Sequence, residues 1–253
     1  MSKNTTSILV SGATGTIGRL VAEAIRHDER FVLAGEAGRD CFFYPAAAAD
    51  VIIDFSHADL LDKTLEHALA HEIPLVTGTT ALDDGLLQRI YQAAEKIPVC
   101  VAANFSLGVN VLAHLAEQAA QALGPEFDIE IVESHHRRKL DAPSGTALWL
   151  GEAVARARSQ DLRQAAVYDR HRRHEPRPAG EIGFSTLRGG DVVGDHTVHF
   201  LADGERLELT HRAGNRRLYA LGALRAALEI RHRGPGLVEF AELLFGSSDQ
   251  TKK

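Results

Sequence analysis

Within the first hundred residues, short apolar runs alternate with stretches of helical periodicity, and few folds other than strands and helices wound around a parallel sheet accommodate that alternation. Residues 7–11 read as the first strand. Beyond a glycine-rich loop, Ile17, Leu20, Val21, Ala24 and Ile25 fall at i, i+3, i+4, i+7 and i+8, one face of a helix. Further strands are expected at residues 31–35, 51–55, 74–77 and 98–102, with helices over 61–69 and 86–94. These strands are core-like along their length, as in a sheet covered on both faces.

After Phe105 the texture changes. Residues 109–123 carry a long helical pattern, but Phe127, Ile129 and Ile131 then alternate with Asp128 and Glu130, which marks a strand with one buried face. Similar alternation returns around Ile182 and Phe184, Val198 and Phe200, and Leu207 and Leu209, so a largely antiparallel sheet is expected. Residues 169–178, basic and proline-containing, read as a surface loop, and residues 218–230 as a helix.

Charge narrows the function classes. The 253 residues hold 28 Lys and Arg against 34 Asp and Glu, a net charge of −6, so no strongly basic nucleic-acid surface is implied. The chain is 45% hydrophobic and 25% charged, the composition of a globular protein. Its polar start lacks a signal-peptide core and no run reaches the ~18 apolar residues of a membrane span, so a cytoplasmic address is expected. Cys41 and Cys100 are too few for a disulfide framework and lack CxxC spacing; free thiols are expected and no metal site.

The loop Gly12-Ala13-Thr14-Gly15-Thr16-Ile17-Gly18 lies between the first strand and first helix, where a dinucleotide-binding loop sits. Its glycines are spaced GxxGxxG rather than GxGxxG. Small residues there let the backbone approach a pyrophosphate, and the free N–H groups and dipole of the helix attract it. About 20 residues on, an acid commonly binds the adenosine ribose while an arginine tolerates a 2′-phosphate. Glu36 and Arg39 are the candidates. Gly78-Thr79-Thr80 and Ala102-Ala103-Asn104-Phe105 follow two later strands, at the carboxyl ends where open α/β sheets place ligands.

The most informative window runs from Glu130 to Ala147 and links a strand to a helix through a polar loop. His135 and His136 are neighbours, so in extended chain their rings point to opposite sides. Lys139 is the only lysine between Lys96 and Lys252, in a chain dominated by arginine, which suggests that an ammonium is needed there. Ser144, after Pro143, is placed to cap the next helix, whose first turn offers the N–H groups of Gly145 and Thr146 as a carboxylate seat. Together they suit a small anionic substrate such as a dicarboxylate.

The run Glu130-Ile131-Val132-Glu133-Ser134-His135 through Lys139, Asp141 and Pro143-Ser144-Gly145-Thr146-Ala147 resembles the 4-hydroxy-tetrahydrodipicolinate reductase (dihydrodipicolinate reductase) family at every fixed position of that family's pattern. The resemblance extends over nearly the whole chain. It implies an α/β fold: a Rossmann-like dinucleotide-binding domain, residues 1–105 with a returning C-terminal helix in 217–253, and an α+β domain with an open mixed sheet, residues 106–216, for substrate binding and oligomerisation. It also implies a homotetramer, NADH or NADPH as cofactor, and a small dicarboxylate substrate.

By the same resemblance His135 carries the acid/base role and Lys139 donates a proton; His136, Gly145, Thr146 and Arg216 contact substrate. The cofactor set is Gly12, Ala13, Thr14, Gly15, Thr16, Ile17, Glu36 or Arg39, Gly78, Thr79, Thr80, Ala102, Ala103, Asn104 and Phe105. The chain departs from the family at Asn215, where Ser is usual, at Ala81, where Gly is common, and in a shortened stretch between Arg39 and Val51. Two rival readings are another two-domain nicotinamide-dependent amino-acid dehydrogenase and a non-catalytic dinucleotide sensor; neither requires the complete histidine and lysine window.

Overall fold

In the computed structural model, residues 5–38, 41–42, 49–171 and 173–246 are described. The chain runs β1 (Thr6–Ser11), α1 (Thr16–Arg26), β2 (Phe31–Gly38), β3 (Cys41–Phe42), β4 (Val51–Asp54), α2 (Ala58–His71), β5 (Leu75–Thr77), α3 (Asp84–Ala94) and β6 (Pro98–Val101). It continues through α4 (Leu107–Leu123), β7 (Asp128–His135), α5 (Gly145–Ala157), α6 (Leu162–Ala165), β8 (Ala166–Val167), β9 (Ile182–Arg188), β10 (Asp195–Ala202) and β11 (Glu205–Arg212). It ends with α7 (Arg217–Ile230), β12 (Gly236–Glu239) and α8 (Phe240–Phe245). Two compact units result, residues 1–106 with 216–253, and residues 107–215.

The first unit is built on a sheet of order β12-β6-β5-β4-β1-β2-β3, parallel except where β3 turns back on β2. Alternation along each strand divides its side chains between two cores. Ile8, Val10, Val51, Ile53, Val76 and Cys100 pack with residues of α1 and α7. Leu9, Ile52, Leu75 and Val99 pack on the opposite side with residues of α2 and α3. Both faces are covered, which is why these strands read as unbroken apolar runs. Helix α7 lies so closely on the segment that follows β6 that a Cβ at Gly222 would stand 1.6 Å from the Phe105 carbonyl oxygen.

The second unit carries a sheet of order β11-β10-β7-β9-β8. One face packs on α4 and α5 through Ile129, Ile131, Ile182, Phe184, Val198 and Phe200. The expectation of a largely antiparallel sheet needs correction. β10 is antiparallel to β7 and β11, but β9 is parallel to both β7 and β8. Alternation reports that one face is buried; strand direction depends on the crossover, here the segment containing α5 and α6. The basic segment at 169–178 is also tied down: Arg170 pairs with Glu130 (2.9 Å) and Glu181 (2.6 Å), and Arg177 with Asp128 and Glu130. Its arginines thus lie on the acidic side chains that β7 turns away from the core. Among the described residues, no helix is long and apolar enough to cross a membrane.

Candidate active site

Strand β7 explains how a polar centre grows out of a core. Its inward row is Ile129, Ile131, Glu133 and His135, all buried, while Asp128, Glu130, Val132 and Ser134 between them are half-exposed. As the row leaves the apolar layer its residue types change from isoleucine to an acid and a base. Glu133 Oε2 accepts from His135 Nδ1 (2.5 Å) and from Arg188 Nη1 (2.8 Å). Glu133 Oε1 accepts from Arg188 Nη2 (2.8 Å), the Ser144 N–H (3.0 Å) and Thr186 Oγ1 (3.2 Å). Burial by itself would raise the Glu133 pKa, but the hydrogen bonds from Arg188 and His135 outweigh it and hold the carboxyl below its usual range. Burial also lowers the His135 pKa, assisted by the charges of Lys139 and Arg188 and opposed by Glu133.

His196, on β10, completes this polar layer. Its ring meets that of His135 edge-on, with centroids 5.1 Å apart, and its Nε2 shares a 3.0 Å hydrogen bond with Ser144 Oγ. Burial, with the nearby His135, pushes His196 down to about 4, so the ring is neutral at pH 7. Ser144 is the N-cap of α5, and its hydroxyl also accepts from the Ala147 N–H at 3.2 Å. Gly145 and Thr146 form the first turn beyond it. A Cβ at Gly145 would meet nothing within 4 Å, so packing does not demand glycine there and the approach to the turn is open. Lys139 Nζ is 2.9 Å from Asp141 Oδ2. His136 is half-buried, and its buried Nδ1 has no hydrogen-bond partner in the protein.

In the first unit the glycine loop is drawn tight against the end of β4. Gly12 has φ +78°, and a Cβ there would lie 2.2 Å from the Phe55 carbonyl oxygen; a Cβ at Gly18 would lie 2.1 Å from that of Gly12. A Cβ at Gly78 would enter the Phe55 ring at 2.2 Å. The N-terminus of α1, at Gly15, has no side-chain cap. A close-packed glycine loop leading into an uncapped helix start fits the pyrophosphate of a dinucleotide.

Other expected cofactor residues take distinct places. Thr79 is buried, its hydroxyl donating to Asp54 Oδ2 at 2.6 Å, whereas Thr80 is exposed. The Phe105 ring belongs to the core, against Phe55 and Phe240, and so does not serve as a ligand contact itself. Asn104 Oδ1 accepts from the Ser106 N–H at 2.9 Å, and Ala102 and Ala103 begin the same turn. Glu36 pairs with Arg26 at 2.9 Å, and the β2 residue against the glycine loop is Gly38, where a Cβ would meet Thr14 Cγ2 at 2.7 Å. Arg39 lies outside the described residues. Arg216 is exposed at the N-cap of α7, in the first unit, whereas His135, His136, Lys139, Gly145 and Thr146 are in the second.

Sequence reasoning assigned no role to Glu133, Arg188, His196 or Asp54. For Glu133 and His196 a signal existed: both continue the inward parity of strands already legible from Ile129 and Ile131 or Val198 and Phe200. Asp54, fully buried, accepts from Ser56 Oγ (2.5 Å), Thr77 Oγ1 (2.8 Å) and Thr79 Oγ1 (2.6 Å), and braces the turn that carries Gly78 to Thr80. Its signal was an acid at the end of a wholly apolar strand.

The family description "Dihydrodipicolinate reductase, N-terminus" matches residues 6–105, and "Dihydrodipicolinate reductase, C-terminus" matches residues 108–244. The chain belongs to the dihydrodipicolinate reductase family. It is 46% identical over 239 residues to a 4-hydroxy-tetrahydrodipicolinate reductase of Akkermansia muciniphila, covering 94% of this chain and 97% of that one. With the protein of the same name from Zymomonas mobilis it shares 48% over 241 residues, 92% and 94% of the two chains. In fold it is similar to a dipicolinate-bound dihydrodipicolinate reductase from Paenisporosarcina sp. TG-14, with TM-score 0.75 and 22% identity over 93% of this chain and 97% of that one.

Proposed function

We propose that the protein reduces 4-hydroxy-tetrahydrodipicolinate (dihydrodipicolinate) to tetrahydrodipicolinate with a nicotinamide dinucleotide, as a step of lysine and diaminopimelate biosynthesis. The observation that carries this reading is the window from β7 to α5: His135, with Glu133 behind it, and the open first turn of α5 share one polar layer in a chain of this family. When bound, the reduced cofactor supplies a hydride.

The chain's own residues then have two tasks, to hold a dicarboxylate and to supply a proton. Gly145 and Thr146 present first-turn N–H groups to one carboxylate, and His136 offers a ring nitrogen without a protein partner. A ring that has lost its hydroxyl as water to become a conjugated imine, and has gained that hydride, carries negative charge, which His135 neutralises as general acid with one proton. The Lys139 ammonium contacts substrate, stabilises that charge and, as a proton donor, takes part with His135 in delivering that one proton. Arg216 assists in binding.

Both NADH and NADPH serve as cofactor. Supporting this, β2 ends at Gly38 without a carboxylate against the glycine loop, and Glu36 is engaged by Arg26, so no described acid there repels a 2′-phosphate. The assembly is a homotetramer in the cytoplasm, built through the second unit, and light scattering on the eluting protein reads its mass. The decisive experiment generates the substrate in place with the upstream synthase and follows nicotinamide absorbance. Synthase-dependent oxidation of either coenzyme is expected; none with both would overturn the reading.

A further inference from the structure

Glu133 stands out because its carboxylate is buried, with side-chain exposure of 1%, yet saturated with donors from separate elements. His135 comes from the same strand, Arg188 and Thr186 from β9, and the Ser144 N–H from the cap of α5. A buried ion pair of this kind contributes less to stability than its contacts suggest, since desolvation offsets the attraction. What it does supply is geometry. An ionised carboxylate only accepts, so the shared proton belongs to His135 Nδ1, and Nε2 is left as the reactive nitrogen.

We propose that Glu133 is a positioning residue for the reduction: it fixes the His135 ring with Nδ1–H turned inward and Nε2 outward, and holds the Ser144 cap of α5 in the same frame. The inference rests on the functional reading above. Acid and carboxylate seat are then set by one group, so their separation is fixed before substrate arrives.

A second observation points the same way. Among the described residues, His135 Nε2 makes no hydrogen bond, and it faces Gly194, where a Cβ would come within 3.0 Å of that atom. The missing side chain at Gly194 leaves room at the nitrogen that Glu133 turns outward. The other titratable or charged groups around the ring are Arg188 from β9, His196 from β10 and Lys139 from the loop after β7.

The test is a mutant cycle with E133Q, H135Q and the double variant, read as kcat, KM and the pH dependence of kcat/KM. Glu133→Gln should lower kcat about 10²-fold while the KM for coenzyme stays within about threefold. Because the carboxylate supports the protonated ring, the alkaline limb set by His135 should move to lower pH by about one unit. In the H135Q background, Glu133→Gln should cost less than about threefold, since a group acting through His135 has nothing left to position.

Additive losses, or a folded E133Q with kcat within about threefold of wild type, would overturn the proposal while leaving wild-type turnover as evidence for the functional reading. No turnover by the wild type would remove both. If E133Q does not fold, Arg188→Lys, which keeps the charge but loses the fork that grips Glu133, takes its place in the cycle with the same expected non-additivity.

Discussion

Glu133 and His135 stand side by side on the inward face of β7, with the carboxylate Oε2 2.5 Å from the imidazole Nδ1. The pair lies where the strand emerges from the apolar layer formed by Ile129 and Ile131. Truncating one partner of such a buried ionic group costs on the order of 3–5 kcal/mol, because the other charge is left unpaired. Isosteric replacements are therefore the informative ones.

Lys139 is the first residue to test. Its ammonium is held by Asp141 at 2.9 Å. Lys139→Ala should lower kcat by about 10²-fold or more with coenzyme affinity nearly unchanged. A near-normal kcat would take Lys139 out of the proton path.

The adjacent histidines should separate kinetically. His135 is buried against Glu133 and His196, while His136 follows the strand and carries an unpartnered Nδ1. His135→Gln should chiefly lower kcat; His136→Gln should chiefly raise the KM for substrate. Indistinguishable kinetic profiles would contradict the division of labour.

The proposed use of both coenzymes turns on how the end of β2 treats the ribose. An exposed arginine and phosphate pair is worth on the order of 1 kcal/mol, so kcat/KM for NADH and NADPH should agree within about tenfold. Arg39→Ala should weaken NADPH selectively. Equal loss for both coenzymes would show that Arg39 does not read the 2′-phosphate.

Stability should fall on the acid side. His196 is held at about 4 in the folded protein against an ordinary 6.5, chiefly by burial. Above pH 6.5 the ring is neutral whether folded or unfolded, and its contribution is complete. As the pH falls from 6.5 towards 4, the unfolded chain takes up a proton that the folded one excludes, which costs about 3 kcal/mol over the window. Glu133, whose pKa is depressed, adds a further loss as the pH falls through its folded value. Urea midpoints between about pH 7.5 and 4.5 measure this, and His196→Gln should flatten the curve. An unchanged acid slope in that variant would exclude His196 as its source.

Ala81 adopts φ +57°, in the left-handed region where a Cβ is strained. The strain costs about 1–2 kcal/mol, and glycine gives part of that back through greater freedom when unfolded, so Ala81→Gly should stabilise by roughly 0.5–1 kcal/mol. A rise in Tm of about 1–3 °C is expected by calorimetry; a fall would mean that the turn does not hold this conformation.

Much of this protein was legible from residue order because local rules apply to it. The unbroken apolar runs of β1, β4, β5 and β6 announced a sheet buried on both faces, and Ile8, Leu9 and Val10 do divide between two cores. Ser144 caps α5 as its position before Gly145 and Thr146 implies. Alternation through Ile129 and Ile131 marked the buried face of β7 and, carried two steps further, would have placed Glu133 and His135 upon it.

What residue order alone determined was therefore the type of the longer elements and the face each one buries, because helical and strand periodicity act within a few positions. Tertiary structure decided the rest. The direction of β9 depends on how its crossover returns, and the meeting of Glu133 with Arg188 joins residues 55 positions apart in the chain. Such contacts form only when packing brings distant segments together in a low-dielectric interior, where a carboxylate must collect its donors from whichever elements surround it.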